Sequence, residues 1–289
     1  MINWIYRRFL CNVLTHNMKV KVASFFYRLP VFREILENQY DFFPNEKQKK
    51  LPVNKQKEIY NKYLDKNGWE KNDLEKIFLD EPHKLVCKHL RYLRVYDHYF
   101  SRFREKENLT IVEVGVFGGG SLQLWKKYFG KNVRVIGIDI DPRCKQYEED
   151  RIEIYIGSQS DRNFWKEFKK KVGKVDLFID DGGHTMLQQR VTFEEMYDCV
   201  ASDGIYICED CATSYWPSMG GGYKVKDSFI EYSKNCIDYI NARYSKSKKL
   251  QPNYITETLL GVHFYDQMVV FVKQQNLCEN ITLSIRNDI

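Results

Sequence analysis

The 289-residue chain contains no run of about 20 apolar residues, so no segment reads as a helix able to cross a bilayer. It has no internal repeat and no low-complexity tract, which excludes a solenoid or a linker-like chain. Acidic residues are missing before Glu34, whereas Arg7, Arg8, Lys19, Lys21, Arg28 and Arg33 precede it. Those six equal the whole formal net charge of +6. The remainder is neutral overall, which excludes a general nucleic-acid-binding surface. Cysteine shows no pairing pattern: Cys11, Cys87, Cys144, Cys199, Cys208, Cys211, Cys236 and Cys278 are scattered through a chain too long to need disulfide staples. They read as reduced thiols in a cytosolic compartment. Cys208-x-x-Cys211 lacks a second pair at zinc spacing, and Glu209 and Asp210 fill its middle, so a zinc or redox motif is not the reading adopted.

What the chain does have is apolar and aromatic material, 43% and 15% of residues respectively, enough to offset the entropy of ordering. Residues 1–33 alternate aromatic and basic groups, and Asn12, Thr15, His16 and Asn17 interrupt any signal-peptide core. This segment suits either a peripheral contact with an anionic membrane or a helix packed on the body or on a second subunit; the packed helix is the simpler reading.

The texture changes near residue 105. Before it, helical patterns cover Lys55 to Phe78, broken at Asn67-Gly68, and Leu85 to Phe103. After it, short apolar runs alternate with amphipathic stretches: strands at 110–114, 133–138, 152–156, 175–179, 204–208, 259–265 and 268–273, with helices between them. The division predicted is 1–105 as a helical N-terminal region for acceptor or oligomer contacts, 106–275 as a cofactor-binding domain, and 276–289 as a tail. Alternation of β and α predicts a Rossmann-like α/β fold. Its seven-stranded sheet is mostly parallel and ends in an antiparallel hairpin.

The first loop of that domain, Glu113-Val-Gly115-Val-Phe-Gly118-Gly119-Gly120-Ser121, follows a strand and opens a helix, where glycine backbone and free N–H groups can meet a ligand. It does not supply a dinucleotide fingerprint from Gly115. The carboxylate of Glu113 beside it suits a cationic ligand such as S-adenosylmethionine better than a pyrophosphate. Ser121 is placed to reach that cofactor's carboxylate. Asp139 and Asp141 end the second strand, where an acid can accept from ribose hydroxyls. Gln159, Ser160 and Asp161 in the third loop suit an adenine edge. The competing reading is a Rossmann-like domain with a different or dead nucleotide site.

Two acidic clusters fall at the ends of consecutive strands: Asp180-Asp181-Gly-Gly-His184 and Glu209-Asp210. Acids converging without matching bases predict a bound cation, and oxygen ligands favour Mg²⁺, or Mn²⁺. The metal would lower the pKa of a substrate hydroxyl, and His184 is the natural general base. The plain alternative is an Asp/Gly turn with a structural histidine. Tyr215 and Trp216 follow the second cluster and read as substrate-contacting rings. His263 reads as packed, and His83, His89 and His98 carry no assigned role.

Taken in order, E-V-G-V-F-G-G-G-S-L, I-D-I-D-P-R, I-G-S-Q-S-D, I-D-D-G-G-H and C-E-D-C-A-T-S-Y-W-P resemble the metal-dependent sugar O-methyltransferases of macrolide pathways, such as those for mycinamicin and tylosin. Bacterial rhamnosyl O-methyltransferases and cephalosporin hydroxylase-like proteins are similar. The resemblance runs from about Glu81 to Lys273 and departs at Cys211, where macrolide enzymes carry Leu. It implies a class I methyltransferase fold. It also implies Asp181, Glu209 and Asp210 as metal ligands, His184 as base and Asp180 as a supporting or cofactor-side residue. The function expected is methyl transfer from S-adenosylmethionine to a sugar hydroxyl of a nucleotide sugar, glycan or glycosylated metabolite, by a cytoplasmic homo-oligomer. Rival expectations are an O-methyltransferase for a phenol, small metabolite or phosphorus oxyanion, and a non-catalytic cofactor-binding scaffold.

Overall fold

The computed structural model describes residues 53–80 and 84–274. The basic segment 1–33 and the tail 276–289 lie outside the described residues. Two helices come first, α1 (Val53–Asn67) and α2 (Asp73–Asp80), followed by α3 (Leu90–Phe100). The alternating part runs β1 (Leu109–Val114), α4 (Gly120–Phe129), β2 (Val133–Asp139), β3 (Ile152–Ile156), α5 (Arg162–Val172), β4 (Val175–Asp180), α6 (Met186–Met196), β5 (Val200–Cys208) and α7 (Phe229–Ile240). A short α8 (Tyr254–Thr258) leads into β6 (Leu259–Tyr265) and β7 (Met268–Lys273). No described helix is long and apolar enough to cross a membrane.

The sheet has the order β3-β2-β1-β4-β5-β7-β6. β1 to β5 run parallel, β7 pairs antiparallel with β5, and β6 closes the edge against β7. This is the Rossmann-like fold with its terminal hairpin that the β/α alternation predicts. Period-2 alternation explains the two layers. Ile111, Val135, Ile179 and Ile207 face a core shared with Leu93, Tyr96, Phe100 and Trp125 of α3 and α4. Their neighbours Val112, Ile136, Phe178 and Tyr206 face Trp165, Phe168, Phe193 and Phe229 of α5, α6 and α7. β4 is buried at all six positions, as a central parallel strand covered on both faces must be. Because α3 belongs to the sheet's own core, a division at residue 105 does not coincide with a gap in packing.

The first helical pattern splits into α1 and α2 at its expected Asn67-Gly68 break. α2 restarts at a capping box in which Asn72 accepts from the Glu75 N–H and Glu75 accepts from the Asn72 N–H. The second begins at Leu90 rather than Leu85: residues 84–89 are not helical, His89 has extended dihedrals, and Leu85 is half exposed. Leu85 and Val86 instead lie on the glycine loop, where a Cβ on Gly120 would meet the Leu85 carbonyl oxygen at 2.4 Å.

The topology brings the C-terminal ends of β1, β2, β4 and β5 to one edge. Val114 is in register with Ile138 and Asp180, and Asp180 with Cys208. The strand order reverses between β1 and β4, the position at which open α/β sheets form a ligand crevice.

Candidate active site

Gly115 opens the crevice with a φ of 97°, and a Cβ there would lie 2.0 Å from the backbone oxygen of Asp181. Only glycine lets the loops after β1 and β4 touch. Gly119, at φ 71°, turns the chain into α4 under the ring of Tyr147. Asp139 accepts from the Val116 and Phe117 N–H groups with one oxygen and from the Asp141 N–H with the other. It braces the glycine loop, with Oδ2 taking two N–H groups and Oδ1 one. Asp141 caps the 3₁₀ turn at Pro142–Tyr147 and pairs with Arg143.

Several residues expected at the cofactor have partners inside the protein. Glu113 is fully buried, taking hydrogen bonds from Lys88 at 3.0 Å and from the Trp125 indole at 2.9 Å. Burial pushes its pKa up, with Lys88 and the Ser121 hydroxyl opposing. Gln159 donates to Asp180 at 2.7 Å and to Thr192 at 3.1 Å, and accepts from the Gly183 N–H at 2.6 Å. Asp180 is fully buried, and burial raises its pKa to about 6 against the pull of His184 and Gln159. Asp161 caps α5 through the Asn163 N–H, and the Ser160 hydroxyl meets that of Ser158. Gln159 and Asp180 are thus supports of the Asp180–His184 turn, because their polar atoms find partners within the fold.

The catalytic candidates do converge. His184 Nε2 lies 3.8 Å from Asp181 Oδ1 and 3.5 Å from Asp210 Oδ2. His184 and Asp210 both adopt left-handed backbone, with φ 56° and 51°. Non-glycine residues there carry strain of about 1–3 kcal/mol each, a cost that concentrates at functional sites. The Tyr92 hydroxyl donates to Asp210 Oδ1 at 2.8 Å. Asp181, His184 and Asp210 each offer a ligand atom within 4.8 Å of one another.

Glu209 departs from its expected place in that set. Its side chain is buried and turned inward, with Oε1 accepting from Lys88 at 2.7 Å and from the Tyr96 hydroxyl. Burial raises its pKa to about 7, with Lys88 opposing. The acids are therefore not without a base. Burial disfavours the Lys88 ammonium, but Asp181, Glu113 and Glu209 outweigh it and hold its pKa well above the ordinary lysine value. Sequence reading missed Lys88 because it lies 25 residues before Glu113 and 121 before Glu209, with no local pattern to mark it.

Tyr215 and Trp216, at the end of the 3₁₀ turn that follows Asp210, are 51% and 52% exposed. Cys208 and Cys211 are buried free thiols, Cys211 donating to the Cys208 carbonyl at 3.4 Å, so the pair serves packing. His263 meets the Tyr99 hydroxyl of α3, but it is exposed on the edge strand β6 rather than packed in the core as expected.

No family model matches the chain. Among curated proteins, it is 31% identical over 193 residues to the 8-demethyl-8-(2-methoxy-alpha-L-rhamnosyl)-tetracenomycin-C 3'-O-methyltransferase of Streptomyces olivaceus, covering 63% of this chain and 49% of that one. It is 30% identical over 192 residues to the mycinamicin VI 2''-O-methyltransferase of Micromonospora griseorubida, covering 63% and 47%. The chain thus spans about half the length of the curated relatives it matches. Among solved structures, the MycE methyltransferase in complex with Mg, SAH and mycinamycin VI superposes with a TM-score of 0.64 at 26% identity, covering 82% of this chain and 66% of that one. Over these matched stretches the chain is similar to macrolide and tetracenomycin sugar O-methyltransferases, and its fold matches that of the MycE methyltransferase.

Proposed function

We propose that the chain is an S-adenosylmethionine-dependent O-methyltransferase that methylates a sugar hydroxyl with the help of a divalent cation. The observation that carries this reading is the meeting of Asp181, His184 and Asp210 at the switch point of the sheet, beside the glycine loop. The donors fit a hard cation: carboxylate oxygens from two strand ends, partly open to solvent, with side-chain exposures of 21% and 35%. Asp181 and Asp210 would hold Mg²⁺ or Mn²⁺. Glu209 would join them only by turning from Lys88 and Tyr96.

When bound, S-adenosylmethionine supplies an electrophilic methyl group and the divalent ion makes the acceptor hydroxyl more acidic. The glycine loop from Gly115 to Gly119 and the Asp139 carboxylate that braces it form the cofactor side. His184 Nε2 takes the hydroxyl proton, and the carboxylates of Asp181 and Asp210 stabilise the imidazolium so formed. The Gln159–Gly183 bond and the close approach of Gly115 to Asp181 fix that histidine relative to the cofactor loop. Tyr215 and Trp216 offer apolar faces of the kind that stack on sugar rings. A cytoplasmic homo-oligomer, with residues 1–33 docked on the body or a neighbour, completes the reading.

The test is to incubate the protein with S-adenosylmethionine, MgCl₂ and a panel of nucleotide sugars and glycosides, and to follow S-adenosylhomocysteine by mass spectrometry. The reading expects product with at least one sugar acceptor, abolished by EDTA. Transfer that proceeds undiminished in EDTA contradicts the metal role. Transfer confined to phenols contradicts the sugar.

A further inference from the structure

Two triads of ligand-type side chains meet at the strand ends and share one residue. Asp181, His184 and Asp210 form the first; Glu113, Asp181 and Glu209 form the second. The second is occupied by part of the protein itself. Lys88 Nζ lies 3.0 Å from Glu113 Oε1, 2.6 Å from Asp181 Oδ2 and 2.7 Å from Glu209 Oε1, with only 2% of the lysine side chain exposed. Three ammonium protons face three carboxylates, the full donor capacity of the group. Asp181 divides its oxygens, Oδ2 to the ammonium and Oδ1 towards His184. A carboxylate shared between two neighbouring cation positions is a natural bridge in a two-metal centre.

We propose that Lys88 is the resident cation of the second position, so that a centre with ligands for two metals takes one metal and one ammonium. This rests on the metal reading of the first triad given above.

The charge inventory supports it. Glu113, Asp181, Glu209 and Asp210 place four carboxylates within one cluster of contacts, three of them on Lys88. A single divalent ion would leave two of those charges unbalanced. A buried carboxylate left without a partner is strongly destabilising. An ammonium tethered by the main chain cannot be lost to chelators or to competition. It keeps Glu113 and Glu209 in place whether or not the exchangeable metal is bound. Lys88 also belongs to the segment whose Leu85 and Val86 lie on Gly118 and Gly120. It ties the acidic centre to the cofactor loop, and we class it as a positioning residue.

Counting Mn²⁺ by equilibrium dialysis on the full chain tests the inference without any turnover. Wild type is expected to bind one ion and Lys88→Met two, because the vacated triad becomes a metal site. The same number in both proteins overturns the inference, including a single ion bound more tightly by the variant, which would mean that lysine and metal share one position. If wild type binds none and Lys88→Met binds one, the first triad is not a metal site while the role of Lys88 stands. If neither binds, both readings fail. Should Lys88→Met be too unstable to dialyse, its melting temperature in saturating MnCl₂ is the second measurement. The inference expects a larger rise than in wild type, and a midpoint that Mn²⁺ leaves unmoved contradicts it.

Discussion

At the scale of single residues, the proposed reaction rests on where His184 Nε2 points. It faces two carboxylates from different strand ends, and its backbone is held left-handed by a turn that Gln159 ties down. His184→Ala should lower turnover by about 10²–10⁴-fold while S-adenosylmethionine affinity is largely kept, as losing a general base does. Measured kcat across pH 6–9 checks this, and a variant as fast as wild type refutes the assignment. Gln159→Ala should also slow turnover, because both Asp180 and the Gly183 N–H lose their buried partner, each worth about 1–3 kcal/mol. The protein should melt lower, and kcat should fall more than KM rises. Asp181, His184 and Asp210 were legible in the sequence because strand ends and short acidic motifs fix their positions in a parallel sheet. Glu113 and Gln159 are read from the sequence as cofactor contacts and Asp180 as a supporting or cofactor-side residue, without their internal partners. Residue type cannot reveal that a lone pair is already taken by Trp125, Gly183 or Lys88.

At the scale of elements, the glycine loop is where sequence and geometry agree most closely. Gly115→Ala combines a positive φ with a Cβ 2.0 Å from the Asp181 carbonyl. We expect a loss of about 2–4 kcal/mol of stability, read as a drop in the urea midpoint, together with lost cofactor binding. The segment before α3 was not legible as such. Its apolar residues fit a helical stripe, but the covering of the glycine loop and the Lys88 contacts with Glu113, Asp181 and Glu209 draw residues 84–89 out of the helix. The edge hairpin carries a pH signature of its own. Lys273 is buried, its ammonium held by the Tyr197 and Val200 carbonyls and the Tyr254 hydroxyl, and burial lowers its pKa to about 8. A depressed folded-state pKa favours the neutral amine in the fold. Its stabilising contribution is therefore present above the unfolded value near 10.5 and is lost as pH falls through about 8. The urea midpoint of wild type minus that of Lys273→Met should rise between pH 8 and pH 10.5; a flat difference contradicts it.

At the scale of the whole molecule, strand order does most of the functional work. Right-handed crossovers and the reversal between β1 and β4 gather the glycine loop, Asp139, the Asp180–His184 turn and Asp210 at one edge, although they span nearly a hundred residues. That much follows from β/α alternation. What alternation does not carry is the acceptor side, since the rings of Tyr215 and Trp216 are exposed and the matched relatives extend well beyond the shared core. The central claim is a cofactor site and a separate metal site at this edge. Calorimetric titration of metal-stripped protein with S-adenosylmethionine, followed by Mg²⁺ on wild type and on Asp181→Ala, addresses both. Binding of S-adenosylmethionine by both proteins, with Mg²⁺ binding only to wild type, is the predicted result. No heat from S-adenosylmethionine in either protein would contradict the account and reassign the glycine loop to another ligand.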